Sequence, residues 1–249
     1  MKQIISILIV LWATSYKAQE VQQVQEGEAV YVLSMSGGKK EREKAEKKME
    51  DSMKITKKEA TKVVMDMLFS GKTATQVIKF QGDKVLSEAD IKPKPKTRAD
   101  FNISQFLLEK RGDFYTDWSQ GVVYNSKVYN DRDIIIRYNI QDLKWNITDE
   151  TKVINGYQCR KATAKYKFAK EKGKQKMGNL IAWFSEDIPI RIAPERFYGL
   201  PGLVVMLQRD KHIYVLSSIN SKKVNINYKV DTKKAISEDE FMELTNEID

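Results

Sequence analysis

The chain has 249 residues, 43 of them Lys or Arg and 34 Asp or Glu, for a formal net charge of +9 at pH 7. It contains 1 cysteine, Cys159, and 1 histidine, His212, which excludes an intrachain disulfide and leaves no material for a zinc cluster or an HExxH site. The basicity permits contact with anionic surfaces, but acidic residues are interspersed nearly throughout, and no basic block with spaced aromatics points to nucleic acid.

Residues 1–18 combine Lys2, an apolar core over 4–13 and a small residue, Ala18, before Gln19. That is the layout of a secretory signal peptide. The apolar stretch is shorter than the about 20 residues of a membrane-spanning helix, and no cysteine ends the segment to take a lipid anchor. The expectation is an exported protein, periplasmic or secreted, with no transmembrane segment after signal removal. Its mature part, 19–249, is expected to form a single domain. Losing Lys2 and Lys17 takes the charge from +9 to +7.

Residues 28–35, rich in β-branched and aromatic types and followed by Ser36-Gly37-Gly38, predict the first strand. From 39 to about 60 the pattern changes. Glu43/Lys47 and Glu50/Lys54 stand at helical spacing beside a narrow stripe of Ala45, Met49 and Met53, which predicts a charged amphipathic helix. Residues 62–69 alternate at strand spacing, although a capping box at 56–59 leaves a helix open there. After the turn 70–72, residues 73–80 predict the return strand. Pro93 and Pro95 place 91–96 in a surface loop.

Shorter strands are expected over 112–118, 121–129 and 133–138, the last after an Asn130-Asp131 turn. Their aromatics, Trp118 and Tyr124 among them, suit core packing or, as a second reading, the lining of a groove. Residues 145–148 lead to 151–154, and Asn155-Gly156 predicts a tight hairpin into a long basic strand over 157–168. An exposed turn at 170–176 and a strand at 179–185 follow. Further strands are expected over 203–208, 212–219 and 224–230. Ser237 and Glu240 then form a capping box for a short C-terminal helix carrying Phe241, Leu244 and Ile248 on one face. The sum is mainly β (α+β): a single curved antiparallel sheet or half-barrel meander, with one charged amphipathic helix and a short C-terminal helix.

The most specific stretch is Phe197-Tyr198-Gly199-Leu200-Pro201-Gly202-Leu203-Val204. Pro201 presets φ and Gly202 tolerates φ > 0, so Pro-Gly predicts a type II turn, with Gly199 a second flexible point. The apolar run after it predicts a buried corner between strands, with a structural role favoured over ligand contact.

Residues 145–204 carry an ordered set of short segments. They include Trp145-Asn146-Ile147, Ile154-Asn155-Gly156-Tyr157-Gln158-Cys159, Ala182-Trp183-Phe184, Ile188-Pro189-Ile190, Pro194 and Gly199-Leu200-Pro201-Gly202-Leu203-Val204. In these the chain resembles the GLPGLI family of uncharacterised exported proteins from Bacteroidetes, with Val204 where the name motif has isoleucine. The resemblance implies a single-domain β-rich exported protein and a structural role for Trp145, Gly156, Tyr157, Cys159, Pro189, Pro194, Gly199, Leu200, Pro201, Gly202 and Leu203. It implies no activity, cofactor or catalytic residue.

Two function classes follow. The first is a non-enzymatic protein of the cell envelope, either one binding a hydrophobic, peptide or glycan ligand, with Trp118, Tyr124, Trp183 and Tyr198 as the ligand-contact candidates, or, as a separate alternative, a purely structural accessory of an envelope complex. The second is a carboxylate-dependent hydrolase drawing on Glu186, Asp187, Glu195 and Asp210, each of which reads first as a solvated surface acid. No nucleophile turn or phosphate-cradling glycine loop supports catalysis, so the expectation leans away from an enzyme, with no catalytic residue, cofactor or metal assigned.

Overall fold

The computed structural model describes residues 26–35, 73–89, 103–171, 173–228 and 231–246. The predicted signal peptide, the charged helix over 39–60, the strand over 62–69 and the proline loop at 91–96 lie outside the described residues. Twelve strands among the described residues form one sheet. In chain order they are β1 (Glu26–Met35), β2 (Ala74–Gln81), β3 (Lys84–Ala89), β4 (Asp113–Asp117), β5 (Val122–Tyr129), β6 (Arg132–Asn139), β7 (Asn146–Ile154), β8 (Tyr157–Glu171), β9 (Lys174–Ser185), β10 (Leu203–Arg209), β11 (His212–Ser221) and β12 (Ile236–Ser237). Two helices lie among the described residues, α1 (Ile103–Arg111) and α2 (Glu238–Asn246).

The spatial order is β12-β6-β5-β4-β3-β2-β1-β11-β10-β9-β8-β7. Every pairing is antiparallel except the short parallel pairing of β12 on β6. Two meanders, β1 to β6 and β7 to β11, therefore run away from a shared seam between β1 and β11. Their far ends are consecutive in sequence, since only residues 140–145 separate β6 from β7. Six residues span roughly 20 Å at most, whereas the strands between those two, laid flat at about 4.8 Å each, would cover roughly 50 Å. The sheet must curl, and it does: α2 touches both β6 and β8, from opposite halves of the order. The mainly β architecture with a curved sheet and a short C-terminal helix is as the sequence predicts.

Local chemistry sets the corners. Asn155 (φ 50) and Gly156 (φ 83) turn β7 into β8, and Asn130 (φ 48) and Asp131 (φ 58) turn β5 into β6. Both turns need positive φ at two positions, the geometry that suits the twist of paired strands. Ser237 and Glu240 form the expected reciprocal cap of α2: Glu240 N donates to Ser237 Oγ (3.2 Å), and Ser237 N donates to Glu240 Oε2 (2.6 Å).

Several expectations need correction. Helix α1 and strand β3 are elements that the pattern reading passed over. The helix is short, has Leu108 buried, places Lys110 and Arg111 in its last turn and stops at Gly112 (φ 74). The exposed turn expected at 170–176 is much tighter, because β8 runs to Glu171 and β9 starts at Lys174. Residues 224–228 form no strand. They cross the sheet instead of joining it: Gln81 Nε2 of β2 donates to Val224 O (3.2 Å), and Tyr228 stacks on Tyr115 of β4 at 4.4 Å. β11 already has β1 and β10 on its two sides, so no free edge was available. Leu244 is exposed, and Met242 supplies the buried contact of α2.

The concave face is filled by the chain itself. β1 sends Ala29, Tyr31 and Leu33 inward, and β2 sends Ala74, Ile78 and Phe80, in the alternation of a half-buried strand. The connection from β9 to β10, residues 186–202, lies across this face and buries Ile188, Ile192, Ala193, Phe197, Tyr198 and Leu200 in the same core.

Candidate functional site

The β9–β10 connection is tied down along its length. Leu203 N donates to Ile188 O (3.1 Å) and Val204 N to Ile192 O (3.0 Å). Tyr31 Oη donates to Val204 O (2.5 Å), and Trp145 Nε1 donates to Tyr198 O (3.0 Å). The expected type II turn at Pro201-Gly202 is not formed. Positive φ falls on Gly199 (114°), which is exposed, and not on Gly202. Gly202 is required for a different reason, since a Cβ there would lie 2.1 Å from Ser185 O. Its missing side chain lets the connection close onto the end of β9 where β10 begins, at the Leu203–Ser185 pair.

Outside this connection lies an open groove of about 680 Å³. Trp118 from the β4–β5 turn and Trp145, just before β7, line it, with Gly199 beside Trp145. Trp118 packs its ring edge-on against buried Tyr198 at 5.7 Å, and the Arg191 guanidinium covers it at 4.2 Å. The polar lining is made of Gln120, Asn139 and Gln141 with two cations, Arg137 and Lys144, and contains no carboxylate. Aromatic faces beside side-chain amides suit ligands that present both apolar faces and hydroxyl or amide groups.

Of the four ligand-contact candidates, Trp118 lines the groove and Tyr198 stands directly behind it. The other two are elsewhere. Tyr124 pairs across strands with Tyr115, on the face crossed by Tyr228, and is 8% exposed. Trp183 on β9 lies under the ammonium groups of Lys152 (4.0 Å) and Lys161 (6.0 Å). The motif residues divide by role. Leu200, Leu203 and Cys159 are core, Pro194 and Tyr157 are buried or half-buried, and Pro189 and Pro201 are exposed. Burial pushes the Cys159 thiol up to about 11, which keeps it protonated and unreactive near neutrality.

A second constellation lies inside the fold. Glu195, in the left-handed region at φ 55, is 2% exposed. Arg111 Nη1 meets its Oε1 at 2.5 Å and Arg209 Nη1 its Oε2 at 3.0 Å, while Tyr214 Oη donates to Oε1. Burial alone would raise this carboxyl's pKa. The Arg111 and Arg209 guanidiniums outweigh that and hold it below the usual carboxylate range. A carboxylate kept ionised by two guanidiniums is a poor proton donor. The surface reading of Glu195 is thus corrected, while Glu186, Asp187 and Asp210 are exposed as expected. Sequence reasoning missed Arg111, Arg209 and Tyr214. The one signal available was a lone acid between Ile192 and Leu203 in an otherwise mostly apolar stretch. Among the described residues no group of three or more His, Cys, Asp or Glu side chains is placed to hold a metal ion. No helix among them is long and apolar enough to cross a membrane.

Residues 145–206 match a family described as a protein of unknown function, Porph_ging. That span runs from Trp145 through the β7–β9 strands and the connection into β10. No curated protein matches the chain. Similar solved structures include "Structure of PNGF-II in C2 space group", 14% identical, with a TM-score of 0.46 and coverage of 86% of this chain and 30% of that one. "Structure of PNGF-II in P21 space group" is 13% identical, with a TM-score of 0.46 and coverage of 88% and 33%. The chain thus spans about a third of the length of these structures.

Proposed function

We propose that this chain is an exported, periplasmic or secreted binding protein of the GLPGLI kind, acting without catalysis, whose ligand is a glycan or a peptide held in the Trp118–Trp145 groove. The observation that carries the reading is the groove itself: two indoles with three side-chain amides, beside Gly199 of the chain's most specific motif. A hydrophobic ligand on the concave face is disfavoured, because residues 188–200 occupy that face with their own side chains. The lining cations Arg137 and Lys144, with no acid among the lining residues, favour neutral or acidic ligands over basic ones.

The test is a binding screen of purified protein against soluble glycans and short peptides, followed by titration of any hit into Trp118→Ala. Truncating a half-buried indole that stacks on a ligand should cost about 2 kcal/mol, roughly thirtyfold in Kd. A hit whose affinity is indifferent to Trp118→Ala sinks the assignment of this groove. Turnover of the ligand by the wild-type protein would overturn the non-catalytic reading.

A further inference from the structure

Under α2, between β5, β8 and the end of α1, lies a second cavity of about 160 Å³. Its lining carries five cations, Arg111, Lys127, Lys167, Arg196 and Arg209, against two carboxylates, Glu195 and Glu238. Arg111 and Arg209 share Glu195, Arg196 Nη2 meets Glu238 Oε1 at 2.6 Å, and Lys167 Nζ reaches Asp239 Oδ1 at 3.0 Å. One guanidinium charge and the Lys127 ammonium are left over among the described residues, an excess of two positive charges. Lys127 forms no ion pair among the described residues, although Glu195 of the same lining acts on it. Its ammonium stands 4.2 Å over the Phe241 ring and 6.0 Å from that of Tyr129. Arg209 Nε is buried and has no hydrogen-bond acceptor.

Leaving such groups unanswered is costly, because a buried donor or cation without a partner forfeits its hydration for nothing. The excess positive charge also acts on Lys127, whose pKa is lowered first by burial and then by Arg196 and Arg209, against the opposing pull of Glu195. The volume corresponds to about five waters at roughly 30 Å³ each, which suits a tetrahedral oxyanion better than a whole sugar ring. Guanidinium forks and an ammonium are the donors such a group takes. Phe168, 54% exposed, stands at the rim.

We propose that this cavity is a binding site for a phosphate-sized dianion, free or as the terminal group of a larger ligand, with Lys127 and the Arg111–Glu195–Arg209 cluster as its receptor. It is distinct from the Trp118–Trp145 groove, and either assignment stands if the other fails.

The probe is inorganic phosphate, titrated calorimetrically into the full-length protein at pH 7.5 and compared with potassium chloride at equal ionic strength. Expected are a saturable one-to-one heat and a rise in Tm beyond the chloride control. Lys127→Met keeps the aliphatic stem under Phe241 and removes the charge, so it should weaken phosphate binding by about tenfold or more. Lys174→Met, at the exposed start of β9, should leave binding unchanged. A wild-type response to phosphate no larger than to chloride overturns the proposal, whatever the variants do. So does an equal loss in Lys127→Met and Lys174→Met, which would reduce the effect to overall charge. A hexose 6-phosphate arm identifies the source: tighter binding than inorganic phosphate assigns the dianion to the end of a phosphorylated ligand, and equal binding assigns a free anion.

Discussion

Glu195 is costly twice over, once for burying a carboxylate and once for a left-handed backbone at a residue with a Cβ. Both costs are met locally, by two guanidiniums and the Tyr214 hydroxyl. The same positive field reaches the only histidine. His212 has its Nε2 buried without a partner, and its pKa is lowered to about 4 by burial, then by Arg111 and Arg209, against the opposing pull of Glu195. In the unfolded chain the imidazole titrates near 6.5. Between those values the unfolded state holds a proton that the folded state refuses, so stability is complete above about pH 6.5 and falls as the pH drops toward about 4. Discounted for partial solvent screening, the loss is about 1–2 kcal/mol. Glu195 adds its own loss only at lower pH, because its folded pKa lies below the ordinary carboxylate value. Urea unfolding of wild type and His212→Gln at pH 7, 6 and 5 separates the two. The wild type should lose stability across this range and the variant should be nearly flat. Parallel slopes would remove His212 from the account. None of this was readable in the sequence, where Arg111 lies 84 positions from Glu195. A single chain shows which residues are charged but not which of them the sheet brings together.

At the scale of elements, the hairpins with strict turn chemistry were the legible part. Asn155-Gly156 and Asn130-Asp131 demand positive φ at both central residues, and the capping box at Ser237 demands its glutamate three positions on, so short-range chemistry sufficed. Elements whose stability comes from distant partners were not legible. α1 has little apolar stripe and is held by Leu108 in the core, and residues 224–228 look like a strand but find every neighbouring edge occupied. The motif connection shows the limit most clearly, since Pro-Gly indicates a turn and the fold uses the glycine for close approach. With Ser185 O 2.1 Å from where a Cβ would sit, Gly202→Ala must push β10 off the end of β9 or tilt the whole connection. The expected cost is about 3 kcal/mol, the upper range for overpacking, because the obstacle is backbone and not a flexible side chain. Pro201→Ala, exposed next to it, should shift stability by less than about 1 kcal/mol. Equal denaturation midpoints for these two variants would show that the connection yields, and that the close approach at Gly202 is not what holds it.

For the whole molecule the governing problem is a long sheet whose two ends among the described residues, at β6 and at β7, are brought near each other by the short link between these strands. Exposed edges invite pairing with other chains. β7 is blunted by Asp149, Glu150 and Lys152, all exposed along it. The β6 edge is instead covered from within the chain, by the two residues of β12 and then by α2. Lys167–Asp239 and Lys170–Glu243 join α2 to β8, but these pairs are well exposed and worth little each. The firm contacts are apolar, with Met242 4% exposed and Phe241 set edge-on to Tyr129 of β5 at 5.3 Å. α2 is thus a clasp between the two halves of the curl, held by these two side chains together with the largely buried Arg196–Glu238 pair to the β9–β10 connection. Phe241→Ser with Met242→Ser in the full chain should undock it at a cost of about 3–5 kcal/mol, the range for emptying a packed aromatic or methionine site. Amide hydrogen exchange would then report faster exchange in α2, in β6 around its Ile136–Arg137 pairing with β12, and in the middle of β8. Exchange at the β1–β2 pairing, on the far side of the curl, should hold. Uniform acceleration across all strands would mean that the sheet opens only as a whole and that α2 is part of one cooperative core. Acceleration confined to α2 would mean that the curl is maintained by the β9–β10 connection alone, through its contacts from Trp145 to Tyr31.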